Sequence, residues 1–522
     1  MYDLIIKNGV IVDGTRQPRY QADVAIQGEQ IVQIGDLSET EAVQIIDAQG
    51  KCVAPGFIDV HNHSDAWVLR KTHLTPKTTQ GFTTEIIMAD GISYAPVNPH
   101  TVHEWIFYLR SLNGLRLDEY RGWQTLGEFT ALLDGGQNYQ NVMTHVPYAN
   151  VRSMLCGFGR ARPDDYQMQE MLSIIREGME AGAVGLSTGL DYICECFADT
   201  AEIAAACRGI APEGGLYVTH IRYKQGILRG VQEAVEIGKL AGVPVHISHL
   251  KTAFPQEAEE LLNYIDKVAV HEVDFSFETY PYVASSTMLN YYLPYEIWEQ
   301  GAIAAQPHLK DHNLRAKVAL RLQALDLSQL FIGWLPGRDQ EKYQGLSLAA
   351  YAAQTGQNPA DAVCNLLIET GMATLMVLNP GDDTLINPFL AHPRCMIGSD
   401  AIFFPDGVVH PRAYGTATRV IGPCVRDRKI FSLEDAVYKL SGYSADRFGL
   451  KNRGVIKEGY AADVVIFDAE TVTDLATLES PHQNSIGIEY VFVNGTAIII
   501  DGQPLTLPDD RLPGRYLKFK QA

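Results

Sequence analysis

Basic residues are in short supply in this chain: 42 Lys and Arg face 62 Asp and Glu, a formal net charge of -20 over 522 residues. Such a surplus of negative charge opposes non-specific attraction to nucleic acid and to anionic lipid, so neither is expected as a partner. Long hydrophobic runs are missing too. No window reaches the roughly 20 apolar residues that span a bilayer, and the opening MYDLIIKNGVIVDG lacks the basic start and apolar run of a secretory leader. Both absences predict a soluble protein with a cytoplasmic address by default. Cysteine is sparse: Cys52, Cys156, Cys194, Cys196, Cys207, Cys364, Cys395 and Cys424 include no CxxC pair. They read as reduced thiols, and Cys194-Glu195-Cys196, with no histidine at metal spacing, as ordinary loop thiols. Solenoid-period repeats and low-complexity tracts are absent as well.

What is present divides the chain by texture. Residues 1–55 alternate apolar and polar positions between Asn-Gly, Asp-Gly and Gly-Glu turns, the pattern of β-hairpins, and residues 446–522 return to it. The two ends are predicted to meet in one small β-sandwich. Between them, residues 56–445 alternate short apolar runs with longer stretches of helical period, which predicts an α/β fold, a TIM-type (β/α)8 barrel. The strand cores are FIDV (57–60), TTEIIMA (83–89), NVMTHV (141–146), AVGLST (183–188), GLYVT (215–219), VPVHIS (243–248), DFSFET (274–279) and RCMIG (394–398). The stretch of about 290–380 is too long for one crossover and carries helical spacing, so an inserted helical subdomain is expected there.

In such barrels chemistry sits at the C-terminal ends of the strands. Strand one ends in Asp59-Val60-His61-Asn62-His63, and histidines two apart on an extended segment point to the same side. Strand two ends in Asp90, strand five in His220, strand six in His249 and strand eight in Asp400. Any one of these is more often structural than catalytic. Six converging imidazole and carboxylate groups, in this order, point to a metal centre. His246, an odd step before His249, is expected to face the helices.

The pattern resembles the amidohydrolase superfamily and, through almost the whole chain, its N-acyl-D-amino-acid deacylase (D-aminoacylase) branch. The motifs that carry the resemblance are GFIDVHNH (56–63), GLSTGLDY (185–192), THIR (219–222), GVPVHISHLK (242–251), TYPYVASST (279–287), IGSD (397–400), HPRAYGTATR (410–419) and GYAADVVIFD (459–468). It implies a zinc-dependent hydrolase of linear amides, most of all N-acyl-D-amino acids. His220 and His249 would hold a tight zinc ion, His61 and His63 a second, weaker position, and Asp400 would be the general acid/base. It also implies a small-molecule substrate with a free carboxylate, gripped by Lys251, Tyr282, Ser286 (or its neighbour Ser285) and Arg412, with Tyr192 nearby. Internal ion pairs are the competing reading for Lys251 and Arg412. No feature of the sequence sets an oligomeric state.

Three departures mark this chain. Asp90 stands where the family has a bridging cysteine; a carboxylate is a harder ligand, more tolerant of Mn2+ or Co2+. After strand three, Pro147-Tyr148-Ala149-Asn150-Val151-Arg152 replaces a GHGTLR-like string and removes a histidine. Lys224, after THIR, replaces a commoner acidic residue and reads as solvated, with contact to an acidic substrate group as the competing reading. The cyclic amidases of the superfamily use a carboxylated lysine on strand four, and AVGLST has none; its deaminases place an acid three residues after the strand-five histidine, where this chain has Tyr223. A metal-binding protein without catalysis would not need Asp400.

Overall fold

The structure is a computed structural model that describes residues 1–70, 73–135, 137–510 and 512–521. Eight parallel strands form the central barrel: Phe57–Asp59, Phe82–Ile87, Asn141–Thr144 continuing as Val146–Pro147, Gly185–Gly189, Leu216–His220, Val245–Ile247, Phe275–Thr279 and Cys395–Ile397. All eight fall on the expected segments. The ring closes where the Asp400 amide donates to the His61 carbonyl at 2.7 Å and the His63 amide to that of Ala401 at 3.0 Å. Closure therefore sets the His-x-His end of strand one directly beside Asp400.

Alternation along the strands sorts their side chains. Tyr217, Val245 and Phe275 belong to the large core shared with the helices, whereas Ile58, Met143, Val218 and Met396 cluster with Phe448 and Leu450. The second set fills the barrel.

The chain ends meet in one β unit. Tyr2–Ile11 pairs with Tyr20–Gln27, Ala42–Asp47 and Cys52–Pro55, and the last of these pairs with Val464–Phe467, joining nine strands in a continuous ladder. The sheet bends back on itself, the Ile31 amide donating to the Tyr460 carbonyl at 2.9 Å, and encloses Leu4, Ile6, Val24, Ile26, Ile466 and Phe492. The hairpin between Ile488–Val493 and Thr496–Ile500 turns on Asn494-Gly495, with φ of 48° and 78°, as a type I′ connection requires.

Two features depart from the sequence reading. The final segment leaves the β unit and returns to the barrel, the Val142 amide donating to the Arg515 carbonyl and that of Leu517 to Val142. The insertion is not purely helical. Leu330–Trp334 and Leu375–Leu378, inside it, form an antiparallel sheet with Ser285–Met288, which lies just before it. Three strands of four or five residues, separated by helical segments, present no clear period-two signal. The expected helices are there; Pro359–Glu369, for example, starts at an Asn358 cap with proline in its first turn.

Candidate metal centre

The six expected groups come together at the C-terminal mouth of the barrel. Three of them adopt backbone conformations that most side chains avoid: Asp90 has φ 58°, His249 φ 39° and Asp400 φ 50°. Such angles persist where surrounding structure over-determines them, commonly at functional sites. Asp90 sits in a tight turn, Ala89–Gly91, whose glycine is obligatory: Gly91 has φ 68°, and a Cβ there would lie 2.3 Å from Glu195 Oε1.

Two groups of donors share one carboxylate. Atoms of His61, His63 and Asp90 lie within 4.8 Å of one another, and so do atoms of Asp90, His220 and His249. Asp90 Oδ1 is 3.6 Å from both His61 Nε2 and His249 Nε2, while Oδ2 is 3.8 Å from His63 Nε2 and 4.0 Å from His220 Nδ1. Asp400 Oδ1 approaches His63 Nε2 at 3.2 Å and His61 Nε2 at 3.7 Å. His61 Nε2 and Asp90 Oδ1 are buried with no hydrogen-bond partner. Buried polar atoms are ordinarily satisfied, so two orphans aimed at one another across 3.6 Å fit a cation between them. The donors are nitrogen and oxygen, suited to zinc, manganese or cobalt. Charge agrees: burial would lower the His61 pKa, but the carboxylates of Asp90, Glu278 and Asp400 outweigh it and raise it to about 9. The cradle holds surplus negative charge.

Outer partners that the sequence reading missed orient these rings. His61 Nδ1 meets Glu278 Oε1 at 2.8 Å, which leaves Nε2 facing Asp90. Glu278 also accepts the His249 amide at 2.8 Å and pairs with His246. The Tyr223 hydroxyl donates to the Ser248 carbonyl at 2.9 Å and lies 3.1 Å from His249 Nδ1, so Nε2 of that ring is the one left for a metal. Asp191 Oδ2, 3.7 Å from His220 Nε2, accepts the Tyr291 hydroxyl at 2.9 Å. Gly398 permits the first of these contacts; a Cβ there would be 2.8 Å from both Glu278 Cγ and His61 Cβ. Glu278 lies inside DFSFET, where a buried acid within an apolar strand was the available signal, and Asp191 follows the strand inside GLSTGLDY.

Two expectations are corrected. His246 does not face the helices: it is fully buried beside Glu278 and 5.2 Å from the Phe448 ring, inside the barrel. Strand alternation ends at Ile247, and the left-handed turn at His249 breaks the parity argument. Lys224 is not solvated. Its ammonium stacks on Tyr291 at 4.1 Å and Tyr295 at 4.8 Å, and burial lowers its pKa to about 8 against the pull of Asp191.

A cavity of about 420 Å³ opens over the cradle, lined among others by Tyr192, Lys251, Tyr280, Ser286 and Asp400. Of the expected carboxylate-binding residues, Lys251, Ser286 and Tyr192 reach it. Lys251 Nζ donates to the Tyr282 carbonyl at 2.7 Å and lies 3.8 Å from the Tyr280 ring centroid. Ser286 Oγ donates to the Met376 carbonyl at 2.7 Å, and the Tyr192 hydroxyl lies 3.2 Å from Thr287 Oγ1. Tyr282 does not reach the cavity: its hydroxyl donates to Asp474 at 3.0 Å and its ring stacks on Arg419. The cause is local, a turn in which the Tyr282 amide bonds the Tyr280 carbonyl at 2.9 Å. Tyr280 takes the position. Arg412, 1% exposed, lies behind the lining with Nη1 2.8 Å from Asp400 Oδ2 and 2.6 Å from the Tyr280 hydroxyl, and Nη2 2.9 Å from the Ser286 carbonyl. Burial would raise the Asp400 pKa, but Arg412, His63 and His61 hold it well below the usual carboxylate range.

Comparison with known proteins gives the same answer. A family model described as "Amidohydrolase family" matches residues 44–321 and 340–499. D-aminoacylase of Alcaligenes xylosoxydans xylosoxydans is 33% identical over 95% of this chain and 94% of its own length. N-acyl-D-glutamate deacylase of the same organism is 34% identical over 99% and 96%. Among solved structures, an N-acyl-D-glutamate deacylase from Bordetella bronchiseptica, complexed with zinc and a phosphonate mimic of the tetrahedral intermediate, superposes with a TM-score of 0.84 at 32% identity, covering 99% of each chain. With the eight-stranded barrel and the shared-carboxylate cradle, these likenesses make the chain a member of the amidohydrolase family, in its D-aminoacylase branch.

Proposed function

We propose that this amidohydrolase cleaves a linear amide, an N-acyl-D-amino acid, to a carboxylate and a D-amino acid, with zinc as the metal. The observation that carries the reading is the placement of Asp400, between the His61/His63 pair and Arg412 at the edge of a cradle bridged by Asp90. His220, His249 and Asp90 would hold the tighter ion, and His61 and His63 with Asp90 a second one. A divalent ion there supplies a Lewis acid that polarises the amide carbonyl and lowers the pKa of water toward about 7. Asp400, kept ionised by its neighbours, takes the proton of the attacking water and returns it to the departing nitrogen, which leaves as an amine. Lys251, Ser286, Tyr192 and Tyr280 offer the substrate's α-carboxylate a cation and hydroxyls. Arg412 joins them by sharing the guanidinium that now pairs with Asp400, its planar fork matching a second carboxylate.

Metal analysis of the purified protein, followed by a release assay over paired D- and L-N-acyl amino acids, tests the reading. Bound metal and turnover of the D series are expected. Turnover only of cyclic amides, or of an aminated heterocycle, would overturn it.

A further inference from the structure

Resting on the deacylase reading above, we infer that the substrate's side chain is neutral and apolar, and that Phe254 and Glu257 on the cavity rim set this preference. Among the described residues lining the cavity, Lys251 is the one lysine or arginine, and its ammonium is engaged by the Tyr282 and Ala284 carbonyls under the Tyr280 ring. Arg412, behind the wall, already neutralises Asp400. These cations suffice for one α-carboxylate. None is left for an acidic side chain.

The segment that follows Lys251 adds the wrong charge for one. Glu257 lines the cavity, where its carboxylate accepts the Thr252 hydroxyl. A substrate carboxylate there would lose water and meet a like charge. Ile227, Phe254 and Leu378 add an apolar side to the lining, beside the hydroxyls of Thr252, Ser285 and Thr287. Phe254 is 70% exposed, and Pro255, in the first turn of helix Pro255–Tyr264, holds it extended (φ -109°, ψ 113°). A large ring held out at the mouth of a cavity gives an aliphatic or aromatic substrate group a surface to bury against.

The test compares kcat/KM of the metal-loaded enzyme for the N-acetyl derivatives of D-leucine, D-phenylalanine, D-alanine, D-glutamate, D-aspartate and D-lysine. Leucine and phenylalanine should exceed glutamate and aspartate by roughly 100-fold or more. Phe254→Ala should compress the leucine-to-alanine ratio by about 10-fold, and Glu257→Gln should raise the glutamate-to-leucine ratio. Acidic or cationic substrates matching the apolar ones, or ratios unmoved in both variants, would overturn the inference while leaving the deacylase reading standing. Hydrolysis of none of the six would overturn the deacylase reading, and the inference with it.

Discussion

The floor and the rim of the cavity make an instructive pair. On the floor, His61, Asp90, Asp400 and Glu278 are buried, ionisable and interlocked, each side chain held by at least one other. On the rim, Phe254 is exposed and Ile227, Leu378 and Tyr292 are half-buried, at the edges of barrel segments and of an insertion that meets the floor through contacts such as the Tyr291 hydroxyl on Asp191. Ionisable groups can be buried only when they are paired, so a change on the floor propagates through the network. A change on the rim leaves the fold alone and alters what fits. Chemistry and specificity are thereby separated in one cavity.

The sharpest way to break this comparison is Asp400→Asn, which should lower kcat by roughly 10³-fold while metal content is retained. Loss of metal with an unchanged residual rate would place Asp400 among the ligands and not as the base. Arg412→Ala comes next, with kcat/KM for free-carboxylate substrates falling on the order of 100-fold. Esterified analogues decide its role: a smaller loss on them assigns Arg412 to the substrate, an equal loss assigns it to Asp400 alone. Glu278→Gln weakens the acceptor that orients His61 and should reduce metal affinity by about 10-fold to 100-fold in a chelator competition; unchanged affinity would remove it from the cradle.

The smallest expected effect is on acid stability. Burial raises the pKa values of Asp191 and Glu278, but His220 with Lys224 at the first, and His246 with His61 at the second, outweigh it and bring both down to about 2. Carboxylates depressed on folding contribute stability that is complete above their unfolded values, 3.8 and 4.5, and is lost as pH falls through those toward 2. The denaturation midpoint of the metal-free protein should therefore drop steadily below about pH 4.5. A Glu278→Gln variant should show a shallower drop, and a profile identical to that of the unaltered protein would contradict the assignment.

Much of this was legible in the chain. The eight strands were readable because a barrel repeats its apolar runs, and the convergence of the candidate ligands because strand ends in a parallel barrel all open on one face. The presence of Asp90 at the barrel mouth was readable from its place after strand two, and a bridging role for it came from the family resemblance alone. What was not legible lies where local periodicity ends. Past Ile247 and Thr279 the chain turns, so parity misassigned His246, and the family resemblance pointed to Tyr282 where the turn presents Tyr280. The short sheet of the insertion was masked by its helices.

By itself, then, the sequence determined the kinds of candidate ligand, their order around the barrel and the acidic character of the site, because these depend on residue type and strand order alone. Tertiary structure decided the rest. It chose Glu278, Asp191 and Tyr223 to aim the imidazoles, turned Tyr280 toward the cavity and set Arg412 against Asp400, since such contacts join residues from separate strands and left-handed turns that no local pattern encodes.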